Sequence, residues 1–548
     1  MFLNKIRKIK YEIYVFVLFV LTRLPSLGYD MFTTDEWKWK QRIYDFGTGV
    51  FTLDFAKTIQ MYHPGVTLMW LGAIAVKFHN LAYRVFTGTN PQDNDINALF
   101  QLHFTQKLFI VLALGILISF IFYILRKVLN IKYASIAVAL FALEPLYVAL
   151  TRVVHLEGLQ ATFMLASFLT LYMYVSTEER KKWLFISSAL GALAMLTKTS
   201  ALFIVPFAAL LLFGYRLWET GSFAKALKWA FSRYLLWLAT FIVAFVAFWP
   251  AMWTNAPQAL TVLQKGIVDV GIEGDHIQLF FGKWVEDPGP VFYWAVLVLR
   301  SSLYLIIGLL GSLVVFPKLD KRQKKFATFT LLYALFYIIE LSIPSKKLDR
   351  YILPSLIALS LVASLFFERM LHLLVGRFSK VSNAFALFGI VLLIPAFTTL
   401  AVLHPDYFSY YSPLTGGLKN GIWMLEPKWV IGHFELIKYL EAKKYELSLQ
   451  DFGPGEDIYD TADVLQNRLV VAFPEKYYTQ LHPFVRRMGA WATISSIDFD
   501  SRKAQFFIYP VWFDESEPED PFRFIGQVKL RGVPIYNVYE NTARDISK

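Results

Sequence analysis

The sequence predicts a mainly α-helical, polytopic membrane protein of about eleven transmembrane helices with a small extracytoplasmic α/β domain at its C-terminus. Three observations predict it. Of 548 residues 56% are hydrophobic and only 18% charged, and the mean hydropathy is +0.45, values outside the range of ordinary soluble domains. Apolar runs of about twenty residues, enough to cross a hydrocarbon core of about 30 Å as a helix, recur up to about residue 403. Beyond residue 405 the runs shorten, charge rises and strand-like pieces appear between turn signals.

Taken in order, the spans fall near 11–28, 104–127, 133–151, 159–177, 183–197, 200–216, 234–252, 291–316, 326–343, 351–369 and 384–403. Lys5, Arg7, Lys8 and Lys10 lead into the first run, which ends without a small-residue cleavage site, so the first helix is expected to be retained. With a cytoplasmic N-terminus, the clusters Arg126-Lys127, Arg180-Lys181-Lys182, Lys225/Lys228/Arg233, Lys318 to Lys325 and Arg377/Lys380 all fall on inner loops, as the positive-inside rule asks. That orientation suits the plasma (inner) membrane. Residues 64–81 are apolar enough to span, but a span there would invert every later loop; 29–103 therefore reads as one outer loop carrying an interfacial helix, and 253–290 as a second. The membrane domain is 1–404 and the outer domain 405–548. In the latter, Leu469–Phe473, Gln505–Tyr509 and Pro534–Tyr539 read as strands and 430–445 as a helix.

The net charge of +12 would suggest nucleic acid in a soluble protein, but here the basic residues lie between apolar runs and orient helices; no nucleic-acid partner is expected. With no cysteine there are no disulfides and no thiolate metal sites.

This topology collects unusual polar residues at the outer face. They are Asp35-Glu36, His63, Arg152, His155, Glu157, Lys198, His276, Asp287, Lys346, Lys347 and Arg350, with Tyr351 beside the last. Each also has a plain structural reading. Asp35-Glu36 behind Thr33-Thr34 suits a helix N-cap, Tyr62-His63-Pro64-Gly65 a turn, Arg152-Val153-Val154-His155-Leu156-Glu157 a self-paired helix end, and Lys198 a snorkelling lysine. Lys346, Lys347 and Arg350 are cations on the side where the topology disfavours them, and a bound phosphate or pyrophosphate gives them a purpose.

Asp35-Glu36 after the first helix, His63-Pro64, Arg152 to Gly158, Leu196-Thr197-Lys198 and Lys346-Lys347-Leu348-Asp349-Arg350-Tyr351-Ile352-Leu353-Pro354 resemble motifs of the GT-C glycosyltransferases. The nearest branch is the protein O-mannosyltransferase and aminoarabinose transferase group. Gly274-Asp275-His276, Asp287-Pro288-Gly289-Pro290 and His404-Pro405-Asp406-Tyr407 are similar to further pieces of its bacterial and archaeal members. The resemblance covers about residues 1–420. Two departures stand out: Glu157 occupies a place where the group often has Asp, and there is no clear Asp-X-Asp metal motif. The latter favours a mechanism without an obligatory metal, with a divalent ion left open and no cofactor certain.

The resemblance implies transfer of a sugar from a polyprenyl-phosphate carrier to an acceptor hydroxyl on protein, lipid or glycan at the outer face. Such a donor already has a good leaving group, so the protein must take the acceptor proton and stabilise the departing phosphate. Asp35 is the candidate base, with Glu36 orienting the acceptor or serving as the base. Arg350, Lys347, Lys346, Lys198 and Arg152 are candidates for the phosphate, and His63, His155, Glu157, His276, Asp287 and Tyr351 for substrate binding. With no separate nucleophile, a single displacement inverts the anomeric centre. A lipid-linked sugar flippase would want the same outer cations but also internal repeats or broken helices. A membrane-anchored binding protein would need only the outer domain.

Overall fold

The computed structural model describes the chain apart from residues 1–8, 93, 178–179, 271–276, 378–383, 454–455, 457–461, 497–501, 514–520 and 545–548. It is mainly helical, with a five-stranded sheet near the C-terminus.

Short capping signals set the helix limits. Helix α1 is Lys10–Leu21. Helix α2, Thr34–Phe51, begins in a capping box: Thr33 Oγ1 accepts from Glu36 N at 3.1 Å while Glu36 Oε2 accepts from Thr33 N at 2.7 Å. Helix α3 is Val66–Thr87 and α4 is Ile96–Val128, the latter capped by Asp95, whose side chain accepts from Asn97 N at 2.8 Å. Helix α5 (Ile131–Ala142) stops one residue before Glu144-Pro145, and α6 (Pro145–Leu150) starts on the proline, which has no N–H to continue the ladder. Then come α7 (Glu157–Ser176), α8 (Lys181–Thr197), α9 (Ile204–Thr220) and α10 (Phe223–Phe248). Helices α11 (Phe292–Arg300) and α12 (Leu303–Val315) form a pair bent by 115°. They are followed by α13 (Lys321–Ser342), α14 (Leu353–Arg377) and α15 (Ala384–Leu403).

Each expected span lands on a helix or a broken helix pair, but they are not equal. Among the described residues six helices are long and apolar enough to cross a membrane: Ile96–Val128, Glu157–Ser176, Thr199–Thr220, Phe223–Phe248, Lys321–Ser342 and Asp349–Leu374, or seven if the bent pair counts as one. Of the other expected spans, 11–28 and 183–197 fall on helices of 12 and 17 residues, 384–403 falls on α15, and 133–151 is broken at Glu144. That break is stapled to the bend of the α11–α12 pair: Glu144 is wholly buried and its carboxylate accepts from Ser302 N and Ser302 Oγ, both at 2.6 Å. Helix α3, the expected interfacial helix, is not among the six; its outer stripe of Ile74, Phe78, Leu81, Val85 and Phe86 is exposed.

Helix α7 sits at the centre, packed by α4, α8, α9 and α14, with every residue but Phe163 and Ser176 buried. A helix apolar on all sides is one enclosed on all sides. Helix α10 is its opposite, largely exposed along its apolar length, as lipid contact requires.

The C-terminal sheet has strands β3 (Val470–Phe473), β4 (Trp491–Ile494), β5 (Phe506–Pro510), β6 (Phe522–Leu530) and β7 (Val533–Asn541) in the order β4-β3-β5-β7-β6; β1 (Gln278–Phe280) and β2 (Lys283–Val285) make a separate hairpin. Two helices, α16 (His433–Glu446) and α17 (Glu475–Arg487), accompany the sheet. The three strands and the helix expected from sequence are present; β4, β6 and α17 are additional. Residues 405–425 belong structurally with the membrane helices, since Arg300 donates to Phe408 O at 3.0 Å and Tyr410 O at 2.7 Å and Ser412 N donates to Leu299 O at 2.7 Å.

Candidate active site

The start of α2, the 152–157 turn before α7, the α8–α9 junction and the loop before α14 meet at one place. Asp35 is the second residue of α2, and because Thr33 and Glu36 already complete the cap, its carboxylate is free to turn elsewhere. Asp35 Oδ2 lies 3.2 Å from Arg350 Nη2 and 3.3 Å from His155 Nε2. The other ring nitrogen of His155, Nδ1, contacts Glu157 Oε2. Glu157 Oε1 in turn accepts from Arg350 Nε at 3.1 Å and Lys198 Nζ at 2.9 Å. Two carboxylates, an imidazole and two cations thus form one closed network. Glu157 is buried while the Asp35 side chain keeps 28% of its exposure, so Asp35 is the member that a substrate can reach.

Electrostatics fix the charge states. Burial pushes the Asp35 carboxyl up, but the hydrogen bond from His155 and the charge of Arg350 outweigh it and hold Asp35 well below the ordinary carboxylate range. His155 is raised above the ordinary imidazole value: burial pulls it down, and Glu157 and Asp35 on its two sides more than reverse this. His63 is lowered, chiefly by burial and then by the charge of Lys198.

Beside the network lies a cavity of about 250 Å³ lined by His63, Lys198, Ser200, Lys346 and Tyr351, among others, with apolar walls including Leu202 and Ile343. His63 Nδ1 is 3.0 Å from Thr199 Oγ1, and Lys198 Nζ sits 3.6 Å over the Tyr351 ring. Lys346 makes no hydrogen bond or ion pair among the described residues, which leaves a cation available in an apolar pocket. Ile343, 74% exposed, and Leu202, 37% exposed, leave its rim open on the apolar side.

Not every expected residue joins this group. Glu36 is wholly buried and faces the other way: besides its cap, Oε1 accepts from Val154 N at 2.8 Å and lies 3.7 Å from Lys107 Nζ. Arg152 is buried on Asp30, with Nη2 2.8 Å and Nε 3.1 Å from Asp30 Oδ2, and also donates to the carbonyls of Arg23 and Pro25. Lys347 is buried against Asp287 at 2.7 Å and bonds Pro344 O, so this pair clips the loop instead of facing the cavity. His276 lies outside the described residues.

The sequence reading missed Trp429. It is 2% exposed and roofs the network, its ring 4.8 Å from the Arg350 guanidinium and 5.3 Å, edge to face, from His155. Its position more than 70 residues beyond the 346–354 motif gave no local signal. Glu340, a carboxylate near the end of an apolar helix that lines the cavity, was legible as an intramembrane ionisable residue and was passed over.

Residues 97–253, from the start of α4 to just past α10, match the family model described as dolichyl-phosphate-mannose-protein mannosyltransferase. Here the chain is similar to the GT-C glycosyltransferases, as its motifs led us to expect. The matched segment contains Arg152, His155, Glu157 and Lys198. No curated protein matches the sequence. Among solved structures, ArnT from Cupriavidus metallidurans bound to undecaprenyl phosphate is similar with 12% identity and a TM-score of 0.48 over 98% of this chain and 99% of that one. An oligosaccharyltransferase from Archaeoglobus fulgidus complexed with zinc and sulfate gives 13% and 0.44 over 90% and 68%. The archaeal oligosaccharyltransferase AglB from the same organism, with an inhibitory peptide and a dolichol-phosphate, gives 12% and 0.42 over 92% and 70%.

Proposed function

We propose that this chain is a membrane glycosyltransferase that moves a sugar from a polyprenyl-phosphate carrier to an acceptor hydroxyl, with Asp35 as base and the acceptor arriving from the outer face. One observation carries the reading: a reachable carboxylate, anchored by Arg350 and His155, stands beside an apolar-walled cavity that holds a lysine without an ion-pair partner among the described residues. The match to a family named for a dolichyl-phosphate donor supports the choice of carrier.

In this reading the carrier phosphate meets Lys346 and Lys198 while its chain leaves past Leu202 and Ile343 into lipid. The acceptor oxygen forms a bond to the anomeric carbon as the carbon–phosphate-oxygen bond breaks, the electron pair going to the phosphate. The acceptor proton passes to Asp35 and from there to water. A carboxylate held low is a weak base but is always anionic; it suffices because the leaving group departs readily and the proton becomes acidic only as the new bond forms. Arg350 Nη1, buried and without a hydrogen-bond partner among the described residues, is a reserve donor for charge developing nearby. Glu157 fixes Arg350, Lys198 and His155 in place; Glu36, Arg152 and the Lys347–Asp287 pair hold the elements that carry them.

The test is transfer and thermal stability measured on one purified variant. Asp35→Asn preserves shape and is not the cap, but it gives up the charge paired with Arg350 and His155. The unfolding midpoint should therefore fall while the chain still folds, and turnover per folded molecule from a polyprenyl-phosphate sugar should fall about 10²-fold or more. Near-parental transfer by that variant removes Asp35 from the mechanism.

A further inference from the structure

Glu340 is an acidic residue that the network described above does not use. It stands near the end of α13, three residues on from Tyr337, and the two share a helix face directed at the 199–203 turn. Tyr337 Oη is 3.4 Å from Gln160 Nε2, which donates to Ser200 Oγ at 2.7 Å; Ser200 and Glu340 both line the cavity. The neighbours of Glu340 are thus satisfied among themselves. Glu340 is not: its Oε2 is buried with no hydrogen-bond partner, and its side chain makes no hydrogen bond or ion pair among the described residues. Lys346 lines the same cavity but forms no ion pair with Glu340, so the acid and the cation are left separate. A buried carboxylate oxygen without a donor costs free energy, and an apolar wall supplies none.

We propose that Glu340 is a specificity-determining residue of the donor site, its unpartnered carboxyl oxygen accepting O–H or N–H groups of the sugar while the lysines take the phosphate. The inference rests on the donor reading given above. Among the described residues the cavity lining combines two lysines, Lys198 and Lys346, one acid, Glu340, and apolar side chains, a set that a phosphate-linked polar ring complements. A site built to receive a donor group rejects a ligand that lacks it, because the acceptor then stays buried and unpaired.

Binding to purified protein decides the matter, using polyprenyl phosphate alone, polyprenyl-phosphate mannose and polyprenyl-phosphate aminoarabinose. The parent should bind at least one sugar-bearing carrier about tenfold or more tighter than the bare one. In Glu340→Ala that gain should collapse to within about threefold with the bare carrier unaffected, and Glu340→Gln, which keeps an acceptor oxygen in the same shape, should fall between. Lys346→Ala should instead weaken all three alike. Retention of the gain in both Glu340 variants overturns the proposal, as does an equal loss for bare and sugar-bearing carriers or a parent that never prefers a sugar. Failure of the parent to bind any of the three carriers is a different result: it removes the donor reading itself, and the role of Glu340 with it.

Discussion

At the scale of single residues, neighbouring carboxylates have opposite tasks because of where one helix begins. Glu36 closes a capping box and bonds Val154 N, whereas Asp35 reaches Arg350 and His155. Glu36→Gln should therefore lower stability by about 1–3 kcal/mol, since one oxygen that accepts a buried N–H becomes a donor facing it, while turnover per folded molecule stays close to parental. Thermal unfolding and transfer on the same sample check this; lost turnover with intact stability would make Glu36 the base. Arg350 gives a second case. Its Nε and Nη2 bridge Glu157 and Asp35, and a lysine reaches only one of them. Arg350→Lys should keep the fold and lose about tenfold or more in turnover. Arg350→Ala, which takes the shared cation from the buried Glu157 and the partly exposed Asp35, should cost about 3–5 kcal/mol of stability.

At the scale of elements, the loop before α14 separates two adjacent lysines. Lys347 is buried on Asp287, whereas Lys346 faces the cavity without a partner among the described residues. Lys346→Ala should weaken polyprenyl-phosphate binding about tenfold with little change in the unfolding midpoint, and Lys347→Ala should do the reverse. The stability loss in the latter should be about 1 kcal/mol, because the Asp287 side chain is 49% exposed and solvent screens the pair. Equal effects on binding would return both lysines to the phosphate. The same loop shows what a sequence conceals. That cations gather there is legible, because topology disfavours them; which of two neighbours turns inward depends on Asp287, sixty positions away, and leaves no pattern. Likewise the apolar runs announced helices α4 to α14 but not their breaks. Pro145 marks one break in the sequence, whereas the bend at Ser301-Ser302 is set by Glu144 across the fold. Arg152 looked like a site cation because its partner Asp30 sits in a different segment.

At the scale of the whole molecule, the C-terminal region closes over the membrane part. Trp37 Nε1 donates to Thr479 O at 2.6 Å, Phe484 packs on Phe32 and Phe100, and Trp429 caps the network. Asp406 lies in this junction: it is buried, its Oδ1 accepts from Gly432 N at 2.8 Å, and His433 Nδ1 is 3.7 Å away. Burial pushes its carboxyl up to about 7, against the partial pull of the Gly432 N–H. Burial also lowers His433, to about 3, so the histidine is neutral and supplies no compensating charge. The sign follows from proton counting. Between the ordinary Asp value of 3.8 and about 7 the folded chain keeps a proton that the unfolded chain has released, so this group's contribution to stability falls as pH rises through that window. The loss is at most about 1.4 kcal/mol per pH unit, and it ends once the folded state has also ionised. Asp406→Asn retains an acceptor for Gly432 N and has no proton to lose. Its unfolding midpoint should exceed that of the parent at about pH 8, and the two should converge toward about pH 4. Melting curves recorded across that range decide it: parallel profiles would mean that Asp406 is ionised in the folded protein and that another group neutralises it in the junction.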